Sequence, residues 1–169
     1  MSHVEHKAHG VRSVRVYAVT VSDTRTEATD TSGKLLRERL VTAGHEVVGA
    51  AIVRDEPTQI EARLSDAAVA GAQVVILSGG TGLSRRDSTP DTLTRLFERE
   101  LPGFGELFRF LSYAEIGAAA MLSRATAGTY RGMIVFSIPG SQAAARLAME
   151  KLILPELAHV VREMTKDQA

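Results

Sequence analysis

Three glycines in four positions, Gly79, Gly80 and Gly82, separate an apolar run at 74–77 from the polar stretch Ser84-Arg85-Arg86-Asp87. Glycine has no Cβ, so backbone N–H groups in such a loop can close on an anion. With Ser78 and Thr81 they make one polar turn at the end of a buried strand. Two arginines and a carboxylate within the next five residues suit a phosphate with a metal ion beside it. A plain glycine turn with surface arginines explains the same residues equally well. Gly80-Thr81-Gly82-Leu83-Ser84-Arg85 starts like a dinucleotide fingerprint but has Arg85 in place of the third glycine, and no G-x-x-x-x-G-K-[ST] occurs. A nicotinamide-dependent Rossmann enzyme is therefore disfavoured.

Asp55 and Asp87 each follow an arginine and each close a strand-end loop. Near a phosphate they would hold Mg²⁺, which takes few protein carboxylates and keeps several waters. Otherwise Asp55 is a surface charge before a helix and Asp87 caps its own loop. Ser22 and Asp23 would bind a ligand or form an Asx or Ser turn leaving the first strand. Pro139-Gly140-Ser141 is a second strand-end glycine turn, with Ser141 placed to cap the helix that follows.

The elements that must position these residues alternate. Strands are predicted at 14–21, 46–53 and 74–77, rich in β-branched residues. Between them lie two helices, the first capped by Thr31 or Ser32 and the second with Pro57 in its first turn, ended by Gly44 and Gly71. Such β-α-β-α-β order gives an α/β fold, a three-layer α/β/α domain with a mostly parallel sheet. Ligands in these sheets bind at the carboxyl ends of the strands. Here those ends are Ser22-Asp23, Asp55 and 78–82, which share one edge. Further on, 93–121 is expected to be helical with a break at Pro102-Gly103 and a fresh cap at Ser112. A turn is expected at 126–130, a strand at 132–138, and a helix over 142–164 that bends at Pro155.

The composition narrows the functions. The 169 residues carry 20 Lys plus Arg against 20 Asp plus Glu, so no general attraction to nucleic acid or anionic membrane is expected. The length suits one domain, expected over 12–165, after a flexible tail at 1–11. That tail holds His3, His6 and His9, conceivable metal ligands better explained as part of a polar terminus. It has no apolar segment of a signal peptide, and no apolar run is long enough to span a membrane. The chain lacks cysteine, which excludes disulfides and thiolate chemistry and fits a cytoplasmic protein. The aromatic stretch with Phe104, Phe108, Phe110 and Tyr113 reads as core or subunit interface, since basic residues are too sparse for nucleic-acid stacking.

Several ordered motifs carry a resemblance over nearly the whole chain. They are Thr20-Val21-Ser22-Asp23-Thr24-Arg25-Thr26, Asp30-Thr31-Ser32-Gly33, the stretch from Ser78-Gly79-Gly80-Thr81-Gly82 through Arg86-Asp87-Ser88-Thr89, and Pro102-Gly103-Phe104. Phe110-Leu111-Ser112-Tyr113-Ala114-Glu115-Ile116-Gly117, Leu122-Ser123-Arg124-Ala125-Thr126-Ala127-Gly128 and Ile138-Pro139-Gly140-Ser141 complete them. Together they resemble the MoaB/MogA family of molybdenum cofactor biosynthesis proteins, closer to the MoaB branch. The resemblance implies a molybdopterin-binding fold assembled as a trimer or hexamer. It implies molybdopterin and ATP as substrates, Mg²⁺ as cofactor, and adenylylation of the pterin's terminal phosphate with release of pyrophosphate. A molybdate-inserting protein would act next. Position by position, Asp55 and Asp87 match the two aspartates that serve metal and transfer, and 79–82 match the phosphate loop. Ser22, Ser123 and the Pro139-Gly140 turn match ligand contacts, and Arg85 or Arg86 would stabilise the transferring phosphoryl group. The alternative for this branch is a carrier that holds molybdopterin without adenylylating it.

Overall fold

The computed structural model describes residues 13–168. The expected tail at 1–11, with its three histidines, lies outside them. One sheet of six strands runs in the order β2-β1-β3-β6-β5-β4. β1 (Arg15–Val21), β2 (Glu46–Val53), β3 (Val74–Ser78) and β6 (Met133–Ile138) are mutually parallel, while β5 (Thr126–Tyr130) and β4 (Arg99–Glu100) extend the sheet antiparallel. The helices are α1 (Thr31–Thr42), α2 (Pro57–Val69), α3 (Thr89–Leu96), α4 (Pro102–Ile116), α5 (Gln142–Ala148) and α6 (Leu154–Thr165).

Alternation along the central strands builds two cores. Val16, Val74, Ile76, Ile134 and Phe136 face one side and pack with Leu36, Leu40, Phe108 and Leu157 from α1, α4 and α6. Tyr17, Val19, Val75, Leu77 and Val135 face the other and meet Ile60, Leu64 and Leu93 from α2 and α3. This is the expected three-layer α/β/α arrangement.

Five local expectations change. The helical stretch expected over 93–121 is interrupted before Pro102: α3 ends at Leu96, and β4 pairs Arg99 and Glu100 with Thr129 and Gly128. Residues 126–130 form β5 rather than a turn, paired with β6 through Thr126–Ser137 to Tyr130–Met133. The turn lies just after it, at Arg131 (φ 46°) and Gly132 (φ 75°), the left-handed pair that suits the twist of a two-residue hairpin. Ser112 starts no helix: it is buried within the continuous α4. The cap of α1 is Asp30, whose Oδ1 accepts from the Gly33 N–H at 3.0 Å, rather than Thr31 or Ser32. The break near Pro155 takes the form of a π-helical segment, Met149–Ile153, in which the Leu154 N–H donates to the Met149 carbonyl, five residues back. Gly44 and Gly71 end α1 and α2 as expected, with φ of 87° and 75°.

Candidate functional site

β1, β3 and β6 end side by side, and their outgoing turns enclose a cavity of about 410 Å³. The turn after β3 begins at Gly79 (φ 114°), whose N–H donates to the Ile138 carbonyl at 2.9 Å. A Cβ there would run into the Val21 carbonyl, and a Cβ on Gly140 would stand 3.3 Å from the Gly79 Cα. Only side-chain-free backbone lets the three strand ends meet so closely. Gly80 (φ 71°) turns the chain again, where a Cβ would strike Thr89 and Asp55. Among the described residues, the N–H groups of Gly80, Thr81 and Gly82 find no hydrogen-bond acceptor, which leaves them available to an anion.

Of the residues picked out by type and spacing, Ser22, Ser78, Gly79, Gly80, Thr81, Gly82, Asp87, Pro139 and Gly140 line this cavity. The Ser22 Oγ accepts from the backbone of Thr24 and Arg25, which folds the chain leaving β1. Ser78 is buried, and its Oγ reaches the Pro139 carbonyl at 3.5 Å.

Asp55, Asp23, Arg86 and Ser123 do not line the cavity. The Asp55 carboxylate accepts from the Ser88 N–H (3.1 Å), the Ser88 hydroxyl (2.8 Å) and the Thr89 hydroxyl (3.2 Å). From the turn after β2 it thereby holds the start of α3, a role that Ser88 does not fill with its own side chain. Burial pushes the Asp55 carboxyl above the ordinary range, against the pull of the Ser88 and Thr89 bonds. Arg86 is clamped to Asp23 by two bonds, Nε to Oδ2 at 3.0 Å and Nη2 to Oδ1 at 2.8 Å, and Asp23 also accepts from the Asp55 N–H. The Arg86 bond holds the Asp23 carboxyl below its usual range. The Ser123 Oγ accepts from the Ala125 N–H. The contact across the loop comes from its neighbour, Arg124.

Two arginines were missed by local reading. Arg124 donates to the carbonyls of Gly82 (3.0 Å) and Asp87 (2.5 Å) and to the Asp91 carboxylate (3.0 Å), tying both ends of the loop to α3. Arg25 lines the cavity. Its local signal, apart from the motif of the resemblance, is a cation four residues beyond the end of β1.

The donor set suits a magnesium ion at one of the two aspartates. Asp87 stands at the cavity wall; its Oδ2 accepts from the Ser84 N–H (3.0 Å) and hydroxyl (2.6 Å), while its Oδ1 accepts from no described residue. Mg²⁺ is commonly held by one or two carboxylates with water and substrate phosphates. Asp87 fits that use, whereas Asp55 would have to give up its bonds to Ser88 and Thr89. No cluster of three or more His, Asp or Glu able to hold a metal occurs among the described residues.

The fold and this glycine-walled, strand-end cavity define an α/β domain of the class described as a probable molybdopterin binding domain, whose family model matches residues 17–159. Molybdenum cofactor biosynthesis protein B of Bacillus subtilis is 52% identical, over 99% of this chain and 100% of its own. The crystal structure of a molybdenum cofactor biosynthesis protein B superposes with a TM-score of 0.84 at 50% identity, covering 91% of this chain and 97% of that one. The tungsten cofactor synthesizing protein MoaB from Pyrococcus furiosus gives 0.83 at 39% identity, covering 91% and 98%. The chain belongs to the MoaB/MogA family of molybdenum cofactor biosynthesis proteins, and its relatives place it on the MoaB side.

Proposed function

We propose that this protein binds molybdopterin in the strand-end cavity and adenylylates its terminal phosphate with ATP, releasing pyrophosphate. The observation that carries the reading is Asp87, a carboxylate at the wall of a cavity lined by backbone N–H groups that, among the described residues, find no acceptor; one of its own oxygens accepts from none of these residues. A pterin phosphate oxygen would attack the α-phosphorus of ATP. A new P–O bond forms there as the bond to the β-phosphate breaks. The N–H groups of Gly80, Thr81 and Gly82 would stabilise charge on the transferring phosphoryl oxygens. They are fixed before the reaction, because Arg124 and Asp55 hold the loop at both ends. Mg²⁺ held by Asp87 and the nucleotide would neutralise charge on the departing pyrophosphate. The product would pass to a molybdate-inserting protein.

The same reading makes the protein a homo-oligomer, a trimer or hexamer. It is supported by the bare apolar face of α4 and the turn after it, where Phe110 is 74% and Met121 76% exposed beside Leu107, Tyr113 and Ile116.

A second reading, a carrier that holds molybdopterin without adenylylating it, is favoured by the commitment of Asp55 to Ser88 and Thr89. It leaves a single carboxylate in the cavity. Incubation with molybdopterin, Mg²⁺ and ATP labelled at the α-phosphate separates the two. Label on the pterin that is lost in Asp87→Asn supports the transferase. Tight pterin binding with no label transferred supports the carrier.

A further inference from the structure

We propose that Arg25 is the cation that grips a phosphoryl group in the strand-end cavity, and that buried Asp30 is the residue that positions it. This rests on the reading of the cavity as a site for a phosphorylated ligand. The arginines nearest the glycine loop in sequence do not serve. Arg86 is spent on Asp23, Arg124 on Asp91 and two carbonyls, and Arg85 is exposed and does not line the cavity. Arg25 does line it, across from the glycine turn.

Its bonding leaves it ready for an anion. Nη1 donates to the Ser32 Oγ at 3.3 Å and Nη2 to the Gly140 carbonyl at 3.2 Å. A guanidinium has five N–H donors, so these two neutral partners leave about three for a ligand. The nearest carboxylate, Asp30, stands 3.9 Å away with 1% of its side chain exposed. Each of its oxygens accepts one bond, Oδ1 from the Gly33 N–H and Oδ2 from the Thr20 hydroxyl at 2.7 Å, and at 3.9 Å neither takes a hydrogen bond from Arg25. Asp30 therefore holds the positive charge in place without taking its donors. Arg37 approaches Asp30 at 4.0 Å, so the buried carboxylate has two cationic neighbours. Ser32 completes the frame by donating to the Gly140 carbonyl at 2.7 Å, which fixes the acceptor that Arg25 also uses. A planar fork held this way matches two oxygens of a phosphoryl group.

The test is a titration of the full chain with inorganic phosphate, followed by calorimetry, for the wild type, Arg25→Gln, Arg25→Lys and Arg85→Gln. Arg25→Gln should weaken binding by more than about tenfold, the size of a charge-assisted hydrogen bond. Arg25→Lys, which keeps the charge but loses the fork, should fall between, and it decides the matter if Arg25→Gln melts. Arg85→Gln should match the wild type. Wild-type affinity in both Arg25 variants, or an equal loss in Arg85→Gln, overturns the proposal. Repeating the titration with ATP and with molybdopterin shows whose phosphate sits there: the ligand that loses affinity in Arg25→Gln is the one held. Molybdopterin that fails to bind while phosphate binding still depends on Arg25 removes the pterin reading and keeps this one. Molybdopterin that binds the wild type and both Arg25 variants alike does the reverse.

Discussion

Two pairs of an arginine and an aspartate lie near the cavity, yet they are used in opposite ways. Between the turns after β1 and β3, Asp23 and Arg86 meet in solvent through bonds of 2.8 and 3.0 Å, and the pair closes on itself. On the β1 side, Asp30 is buried and caps α1, and Arg25 stands 3.9 Å away with its charge turned to the cavity. A tight exposed pair is a strut between loops. A loose pair, with its buried carboxylate bonded elsewhere and 3.9 Å away, leaves most of the cation's donors for a ligand. Which arginine serves a site therefore depends on what its carboxylate is already doing.

The largest effect should come from Asp30. Asp30→Ala removes the cap of α1, orphans the Thr20 hydroxyl and leaves Arg25 and Arg37 without their shared carboxylate. A loss of about 2–4 kcal/mol is expected from cap and buried hydrogen bond together, read from the urea midpoint. A loss below about 0.5 kcal/mol, within the range of an ordinary surface change, would mean that the buried pair is no more rigid than the exposed strut.

Next come the two aspartates of the β2 and β3 ends. Asp55→Asn puts amide hydrogens against the Ser88 and Thr89 donors and should cost about 1–2 kcal/mol. Asp87→Asn, half-buried with local partners only, should cost under about 0.5 kcal/mol. It should nonetheless lower label transfer by about a hundredfold or more, as loss of a group that stabilises transferring charge does. Equal melting temperatures for the two variants would contradict the separation of a structural Asp55 from a functional Asp87.

This division marks what was legible before the structure. The strands, the parallel sheet and the glycine turns are local: alternation and glycine spacing within ten residues specify them, and the cavity they line follows from strand ends sharing an edge. Arg25 is different. Its partner Gly140 is 115 residues away, and Arg124 meets Gly82 across 42. Nothing near either arginine in sequence says where it folds. Asp55 shows the converse, since a strand-end carboxylate before a proline-started helix reads as a ligand until Ser88 and Thr89, from a different loop, occupy both oxygens. The short β4 and the reversal of β5 were hidden because Gly128, which suppresses strand propensity, is there so that Phe97 can cover it.

The smallest effect concerns pH and the exposed strut. Arg86 holds the Asp23 carboxyl below its ordinary range, while burial pushes the Asp55 carboxyl above it. The signs follow from which state binds the proton more tightly. Asp23 contributes stability above its unfolded value of 3.8, and the contribution fades as pH falls through the lowered folded value. Asp55 contributes most below 3.8 and loses that contribution as pH rises through its raised folded value. Arg86→Gln should return the Asp23 titration, followed by carboxyl carbon NMR, toward the ordinary range. The Asp55 titration should rise further, though less, since Arg86 is no longer nearby to favour its charged form. An Asp23 titration unchanged by Arg86→Gln would show that the strut does not form in solution, and the outward arginine would then be as free for a phosphate as Arg25.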